Sequence, residues 1–206
     1  MNTAHASLTL LAQGGRINPE LLGAVHSACR KFGLTVYCST AQNLRLLGVP
    51  EDAMEQVKRE LAVHGAVFKK PGMFPKPRVC VGSPYCKLAL VDTCDLSEKI
   101  CAGHGPAMAV KQKIKIAVAA CPSSCSGALT TDIGVVAAGK GFRIYAGGKD
   151  GTVPRSGRLV GKNLSEDEML RAVHTLFSFH QQRTTSKQRM FKLLDDPEFP
   201  HFTAAF

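Results

Sequence analysis

At 206 residues, with 45% hydrophobic and 20% charged side chains, the chain is globular rather than disordered, one large domain or two small ones fused tightly. No apolar run approaches the ~20 residues of a membrane span, and the opening MNTAHASLTLLAQGG has no basic n-region, so no signal peptide is read and a cytoplasmic location is expected. A formal charge of +10 raises nucleic acid as a partner, but recognition-helix, zinc-finger and aromatic-stacking signatures are missing, and a polyanionic cofactor or an acidic protein partner explains the charge as well.

In chain order, SLTLLAQ (7–13) reads as a short strand and Gly14-Gly15 as a turn. Asn18 is a good N-cap with Pro19 at the first helical position, and Leu21, Leu22, Val25, Ala28, Cys29 and Phe32 share one helical face up to Gly33. LTVYCST (34–40) is β-rich, and Cys29 and Cys38 read as buried thiols. AQNLRLLGVPED reads as a connector broken at Gly48-Val49-Pro50, before a helix over about 51–64. These elements make a small α+β unit over residues 1–68.

FKKPGMFPKPR (68–78), with its prolines and basic residues, marks a boundary. A helix is expected to end near Gly103, and KQKIKIAVAAC (111–121) reads as a strand in which Ile114, Ile116 and Val118 alternate with Lys113, Lys115 and Ala117. TDIGVVAAGKGFRIYAGGKDGT reads as a hairpin followed by a glycine-rich loop. Ser165 begins a capping box closed by Glu168. The tail 186–206 is expected to be helical to about Leu194. This divides the second part into a body, 69–185, and a C-terminal helical tail.

Four cysteines carry the chemistry. Cys80 and Cys86 have C-x5-C spacing, Cys121 and Cys125 have C-x3-C spacing, and 34 residues separate the pairs. The first spacing is poor for zinc, and the C-x-x-C of redox dithiols is absent. Four thiolates on two loops suit a [4Fe–4S] cluster, with zinc or plain buried thiols as the alternatives. Gly82, Pro84, Pro122 and the small residues Ser123, Ser124, Ser126 and Gly127 allow close approach of backbone to a bulky centre. Cys94 and Cys101 read as structural thiols, and His64, His104, His174 and His180 as surface or satisfied histidines.

CVGSPYCKLALVDT and CPSSCSGALTTDIG resemble the two cluster-binding halves of the siroheme-dependent sulfite and nitrite reductase family. GGRINPELLGAVHSACRKFGLTVYCSTAQNLRLLGVPED is similar to the ferredoxin-like subdomain before the cluster domain, and GFRIYAGGKDGTVPR to the segment after it. The resemblance implies a ferredoxin-like subdomain packed on a mixed α/β domain that holds siroheme and a [4Fe–4S] cluster. It assigns Cys80, Cys86, Cys121 and Cys125 to the cluster, with Cys125 bridging to the siroheme iron. The implied activity is six-electron reduction of sulfite to sulfide, with nitrite reduction to ammonia, or electron transfer without turnover, as alternatives.

The K-x-K pair Lys113 and Lys115 takes the family's oxyanion-binding position, and Arg45 and Arg78 are candidates for substrate or tetrapyrrole carboxylates. Siroheme, a polycarboxylate, gives the basic composition a cause, and Gly147 and Gly148 are candidates for backbone contacts to it. Typical members carry two copies of this unit, and this chain carries one, like the small sulfite reductases of anaerobes. An external donor such as an acidic ferredoxin or flavodoxin is implied, and the assembly is expected to be a monomer or homodimer.

Overall fold

The computed structural model describes residues 5–102, 113–186 and 188–203. The chain divides into two compact units, Met1–Pro71 and Gly72–Phe206.

In the first unit, β1 (His5–Leu10), α1 (Pro19–Phe32), β2 (Thr35–Cys38), β3 (Leu44–Pro50) and α2 (Met54–Ala62) form an antiparallel sheet of order β1-β3-β2 packed against the helices. Asn18 caps α1 by accepting from the Leu21 N–H, and Gly33 ends it with φ 66°. The segment read as a connector is instead the central strand β3. Its Leu44, Leu46 and Val49 are buried, but their alternation slips at Gly48 (φ 83°), beside the register shift between Ala6 and Ser7. This bulge hides the period-two signal. β2 is an edge strand exposed along its length, so Cys38 is exposed, and Cys29 on α1 is only half-buried, contrary to the expectation of buried thiols.

The second unit holds β4 (Arg78–Val79), α3 (Thr93–Ala102), β5 (Ile116–Ala119), β6 (Ile133–Ala138), β7 (Gly141–Ala146), β8 (Arg158–Leu164), α4 (Glu166–Arg183) and β9 (Phe202–Thr203). Among the described residues the sheet order is β4-β5-β6-β7-β8-β9. β4, β5 and β6 are parallel, and β6, β7 and β8 are antiparallel, with the expected hairpin between β6 and β7. One face packs Ile116, Val118, Ile133 and Val135 against α3 and α4; α4 begins with the expected capping box. The other face is smaller and closes over Ala117, Ala119, Ala128 and Val136. β5 is therefore buried on both faces, as central parallel strands are.

The lysine-bearing strand and the tail also depart from expectation. β5 begins only at Ile116, so Lys113 and Lys115 lie in its extended lead-in; their exposure still alternates with buried Ile114 and Ile116. The tail is not a second long helix. Among described residues it forms a 3-10 turn at Met190–Lys192 and then β9. Its apolar residues Met190, Leu193, Leu194 and Phe199 enter the main core. Side chains take backbone bonds that a helix would use internally: Asp132 accepts from the Met190 N–H, and Arg158 donates to the Leu194 carbonyl.

Candidate cofactor site

The parallel pairing of β4 with β5 brings the two cysteine loops together. Arg78 pairs with Ala117 and Val79 with Val118, so Cys80 and Cys121 both follow the carboxyl ends of adjacent parallel strands. Such strand ends are where open α/β sheets bind ligands. The Cys80 N–H donates to the Val118 carbonyl at 3.3 Å, and the Ala120 N–H points at Cys80 Sγ at 3.1 Å. A thiolate there would accept a backbone hydrogen bond.

The first loop turns at Gly82 (φ 66°), whose carbonyl accepts from the Cys86 N–H at 3.0 Å. A Cβ at Gly82 would lie 2.7 Å from Thr93 Oγ1, and that hydroxyl donates to the Cys80 carbonyl at 2.6 Å. The Leu90 N–H donates to the Ala120 carbonyl at 2.9 Å, fastening the first loop to the second. The second loop turns tightly through Ser124 (φ 52°) and Gly127 (φ 70°), with Ser124 N–H donating to Cys121 O and Gly127 N–H to Ser124 O.

Cys80, Cys86 and Cys121 are half-buried and Cys125 is exposed. Beside Cys125, the buried Ser126 hydroxyl has no partner among the described residues. The first loop also exposes Val81, Tyr85, Leu88 and Leu90, between 54% and 74% accessible. Thiols on two joined loops, an orphan hydroxyl and apolar surface together fit a sulfur-rich centre under a large cofactor. Among the described residues no three His, Cys, Asp or Glu side chains converge as a site for a single metal ion.

The basic candidates separate. Arg78 turns into the protein, its Nη2 3.5 Å from the Gly127 carbonyl, 3.4 Å from Thr131 Oγ1 and 3.8 Å from an Asp150 carboxylate oxygen. It braces the second loop. Arg45 is exposed on β3 of the first unit, where Nη2 donates to Ser7 Oγ at 2.9 Å. Lys113 and Lys115 are exposed at the amino end of β5, the opposite end of that strand from Cys121. The Gly147 N–H is engaged by the Asp132 carbonyl, and a Cβ there would lie 2.6 Å from Leu194. A Cβ at Gly148 would lie 2.5 Å from the Leu129 carbonyl oxygen. Both glycines thus answer to internal packing.

Sequence reasoning missed Asp132 and Gly134. Asp132 is fully buried, and its carboxylate accepts from Lys115 N–H, Arg189 Nε and Met190 N–H. Gly134 lets the 3-10 turn Ala128–Thr130 pack on β6. Only the glycine within TDIG was a signal for the second, and nothing local marked the first. His180 departs from the expectation of a surface or satisfied imidazole. It is buried, Nε2 meets the Gln188 carbonyl at 2.9 Å, and Nδ1 has no partner among the described residues. Burial pushes its pKa down. Cys94 is buried, and burial pushes the Cys101 thiol up. His104 lies outside the described residues.

The class of fold is an α+β half domain followed by a mixed sheet that carries two cysteine loops at adjacent parallel strand ends. Residues 76–206 match the family described as the nitrite and sulphite reductase 4Fe-4S domain, and residues 1–64 the nitrite/sulfite reductase ferredoxin-like half domain. The chain belongs to the nitrite and sulfite reductase family, whose cofactors are a [4Fe–4S] cluster and siroheme. It is 27% identical over 187 residues to an assimilatory-type sulfite reductase of Nitratidesulfovibrio vulgaris, covering 88% of this chain and 83% of that protein. It is 26% identical over 189 residues to the Escherichia coli nitrite reductase (NADH) large subunit, covering 90% of this chain and 22% of that protein. The fold is similar to dissimilatory sulfite reductase I, with a TM-score of 0.75 at 12% identity, covering 91% of this chain and 65% of that one. It is also similar to the Mycobacterium tuberculosis NirA protein, with a TM-score of 0.73 at 18% identity, covering 91% and 37%. Among the described residues no helix is long and apolar enough to cross a membrane.

Proposed function

We propose that the chain reduces sulfite to sulfide in six electrons, with Cys80, Cys86, Cys121 and Cys125 holding a [4Fe–4S] cluster and Cys125 joining it to siroheme. The observation that carries this reading is the meeting of two cysteine loops at adjacent parallel strand ends with Cys125 as the exposed thiol. When bound, the coupled cluster and siroheme supply one-electron transfer to the oxyanion.

The protein's own part is positioning and charge. The Ala120 N–H donates to Cys80 Sγ, and Gly82 and Gly127 hold the loops in their tight turns. Val81, Tyr85, Leu88 and Leu90 offer apolar contact to a macrocycle and exclude water from beside the thiols. Lys113 and Lys115 offer two ammonium groups to anionic oxygens, those of the substrate or of siroheme carboxylates, and a proton can leave either Nζ through water. Arg45 is a further candidate cation. The net charge of +10 favours an acidic donor such as a ferredoxin or flavodoxin in the cytoplasm.

Nitrite reduction to ammonia is the second reading, supported by similarity to nitrite reductases at nearly the identity found for the sulfite reductase. The test is anaerobic purification of the cofactor-loaded chain, iron and sulfide analysis, an absorption spectrum, and assays with reduced viologen and each anion. The expected result is a Soret band and turnover of sulfite faster than nitrite. Faster nitrite turnover selects the second reading. Turnover of neither anion by fully loaded protein rejects both and leaves an electron-transfer role. A colourless zinc protein rejects the cofactor assignment.

A further inference from the structure

We infer that Asp132 and Arg189 are positioning residues for the Lys113–Lys115 arm, so that a residue of the C-terminal segment sets the geometry of the anion-binding lysines. The inference rests on the proposed anion-binding role of that arm.

Lys115 precedes β5: only its carbonyl joins the ladder to β6, and its N–H bonds a side chain. Its peptide is held from both sides by the segment that opens β6. The Lys115 N–H donates to Asp132 Oδ2 at 2.9 Å, and the Ile133 N–H donates to the Lys115 carbonyl at 3.1 Å. The Asp132 carboxylate is 0% exposed. A buried carboxylate stays in place only if it is paired and hydrogen-bonded. Its second oxygen is held by Arg189 Nε at 2.7 Å and by the Met190 N–H at 3.1 Å.

Arg189 is itself only 15% exposed and also reaches the Gly148 carbonyl at 3.5 Å. Met190 is fully buried in the core. The C-terminal segment is therefore anchored, and its guanidinium orients the carboxylate whose other oxygen fixes Lys115. The Lys115 side chain leaves this pinned peptide towards solvent. Freeing the peptide would let the ammonium groups wander, and misplacement by about 1 Å can cost on the order of 100-fold in rate.

The experiment compares wild type, Asp132→Asn, Arg189→Gln, Lys115→Ala and the Lys115→Ala/Asp132→Asn double variant, all as cofactor-loaded chains. The first readout needs no activity: exchange of the Lys115 amide hydrogen. It is expected to speed up about 10-fold or more in Asp132→Asn and several-fold in Arg189→Gln, with β7 amides unchanged. Unchanged protection at Lys115 overturns the inference. If Asp132→Asn does not fold, Arg189→Gln alone decides by the same readout.

The second readout is function. If the arm holds the substrate, Asp132→Asn lowers kcat/KM for sulfite about 10- to 100-fold at unchanged siroheme content. If it holds siroheme carboxylates, siroheme content falls instead. In the Lys115→Ala background the same substitution should add less than about 3-fold, because Asp132 acts through Lys115. Full additivity assigns Asp132 a merely structural role and overturns the inference. Should wild type reduce neither anion, the proposed function fails, and amide exchange together with siroheme content still judges the positioning.

Discussion

Gly134→Ala tests how the second cysteine loop is seated. A methyl group at Gly134 would overlap the Ala128 carbonyl, with the carbonyl carbon only 2.7 Å away against the 3.4 Å at which ordinary contact begins. The obstacle is backbone, so no rotamer change relieves it. The carbonyl oxygen lies nearer still, so the turn Ala128–Thr130 must lift by more than the roughly 0.7 Å between those two distances, and Ala128 is fully buried. Overpacking of this kind costs about 1–3 kcal/mol, against about 0.4–1 kcal/mol gained by restricting the unfolded chain. The cost dominates, and apparent melting of the second unit should fall by several degrees, since about 1 kcal/mol shifts Tm by ~2–4 °C in a chain of this size. Cys125 lies three residues before the turn, so iron retention should fall as well. The control is Gly139→Ala, where the added carbon meets nothing within 4 Å and φ is not positive. Thermal unfolding and iron analysis of both variants provide the assay. A Gly134→Ala protein as stable and as iron-rich as the control would refute the packing described for this loop.

Other outcomes follow from single contacts. Cys125→Ser should abolish magnetic coupling between cluster and haem, and unchanged coupling would reassign the bridge. Ser165→Ala removes the side chain that accepts from the Glu168 N–H, and should cost about 1 kcal/mol in denaturant unfolding; no change would mean the box contributes nothing to α4. Burial holds His180 below its usual 6.5, with the Gln188 hydrogen bond and Asp132 opposing in part. The unfolded chain therefore binds the extra proton more readily, so stability is intact above about pH 6.5 and falls as the pH drops towards the folded value. That slope should flatten in His180→Gln; an equal slope in both proteins would exclude the imidazole as its source.

What was legible in the sequence was local. Asn18, Pro19 and Gly33 act within a turn or two of themselves, and α1 starts and stops where they require. The Ser165–Glu168 box works the same way. β3 was illegible because Gly48 inserts one residue and inverts the facing pattern midway. The tail was illegible because its backbone partners, Asp132 and Arg158, lie 58 and 36 residues away. The cysteine spacing pointed to two loops, while the fact that the loops meet depends on a parallel pairing that no short window contains. Gly147 and Gly148 invited a ligand reading, yet what excludes a side chain there is Leu194, Leu129 and Thr131.

Two of these long-range contacts meet at β5: its parallel pairing with β4 at one end, and Asp132, which holds both the tail and Lys115, at the other. The strand is four residues long and buried on both faces, so its ends are fixed relative to each other at about 3.3 Å per residue. The cysteine loop leaves one end and the lysine arm enters the other. Lys115 therefore stands ~20 Å along the chain from Cys121 if the connection is fully extended. A mononuclear site could not use both groups. A cofactor as broad as a tetrapyrrole can touch thiolate chemistry at one side and meet cations at its periphery. The proposed division of labour follows from that separation. In that proposal the loops Cys80–Cys86 and Cys121–Cys125 would carry redox coupling, and Lys113 and Lys115 would handle the anion. The rigidity that keeps the two in register comes from the sheet and from the buried Asp132–Arg189 pair at its amino edge.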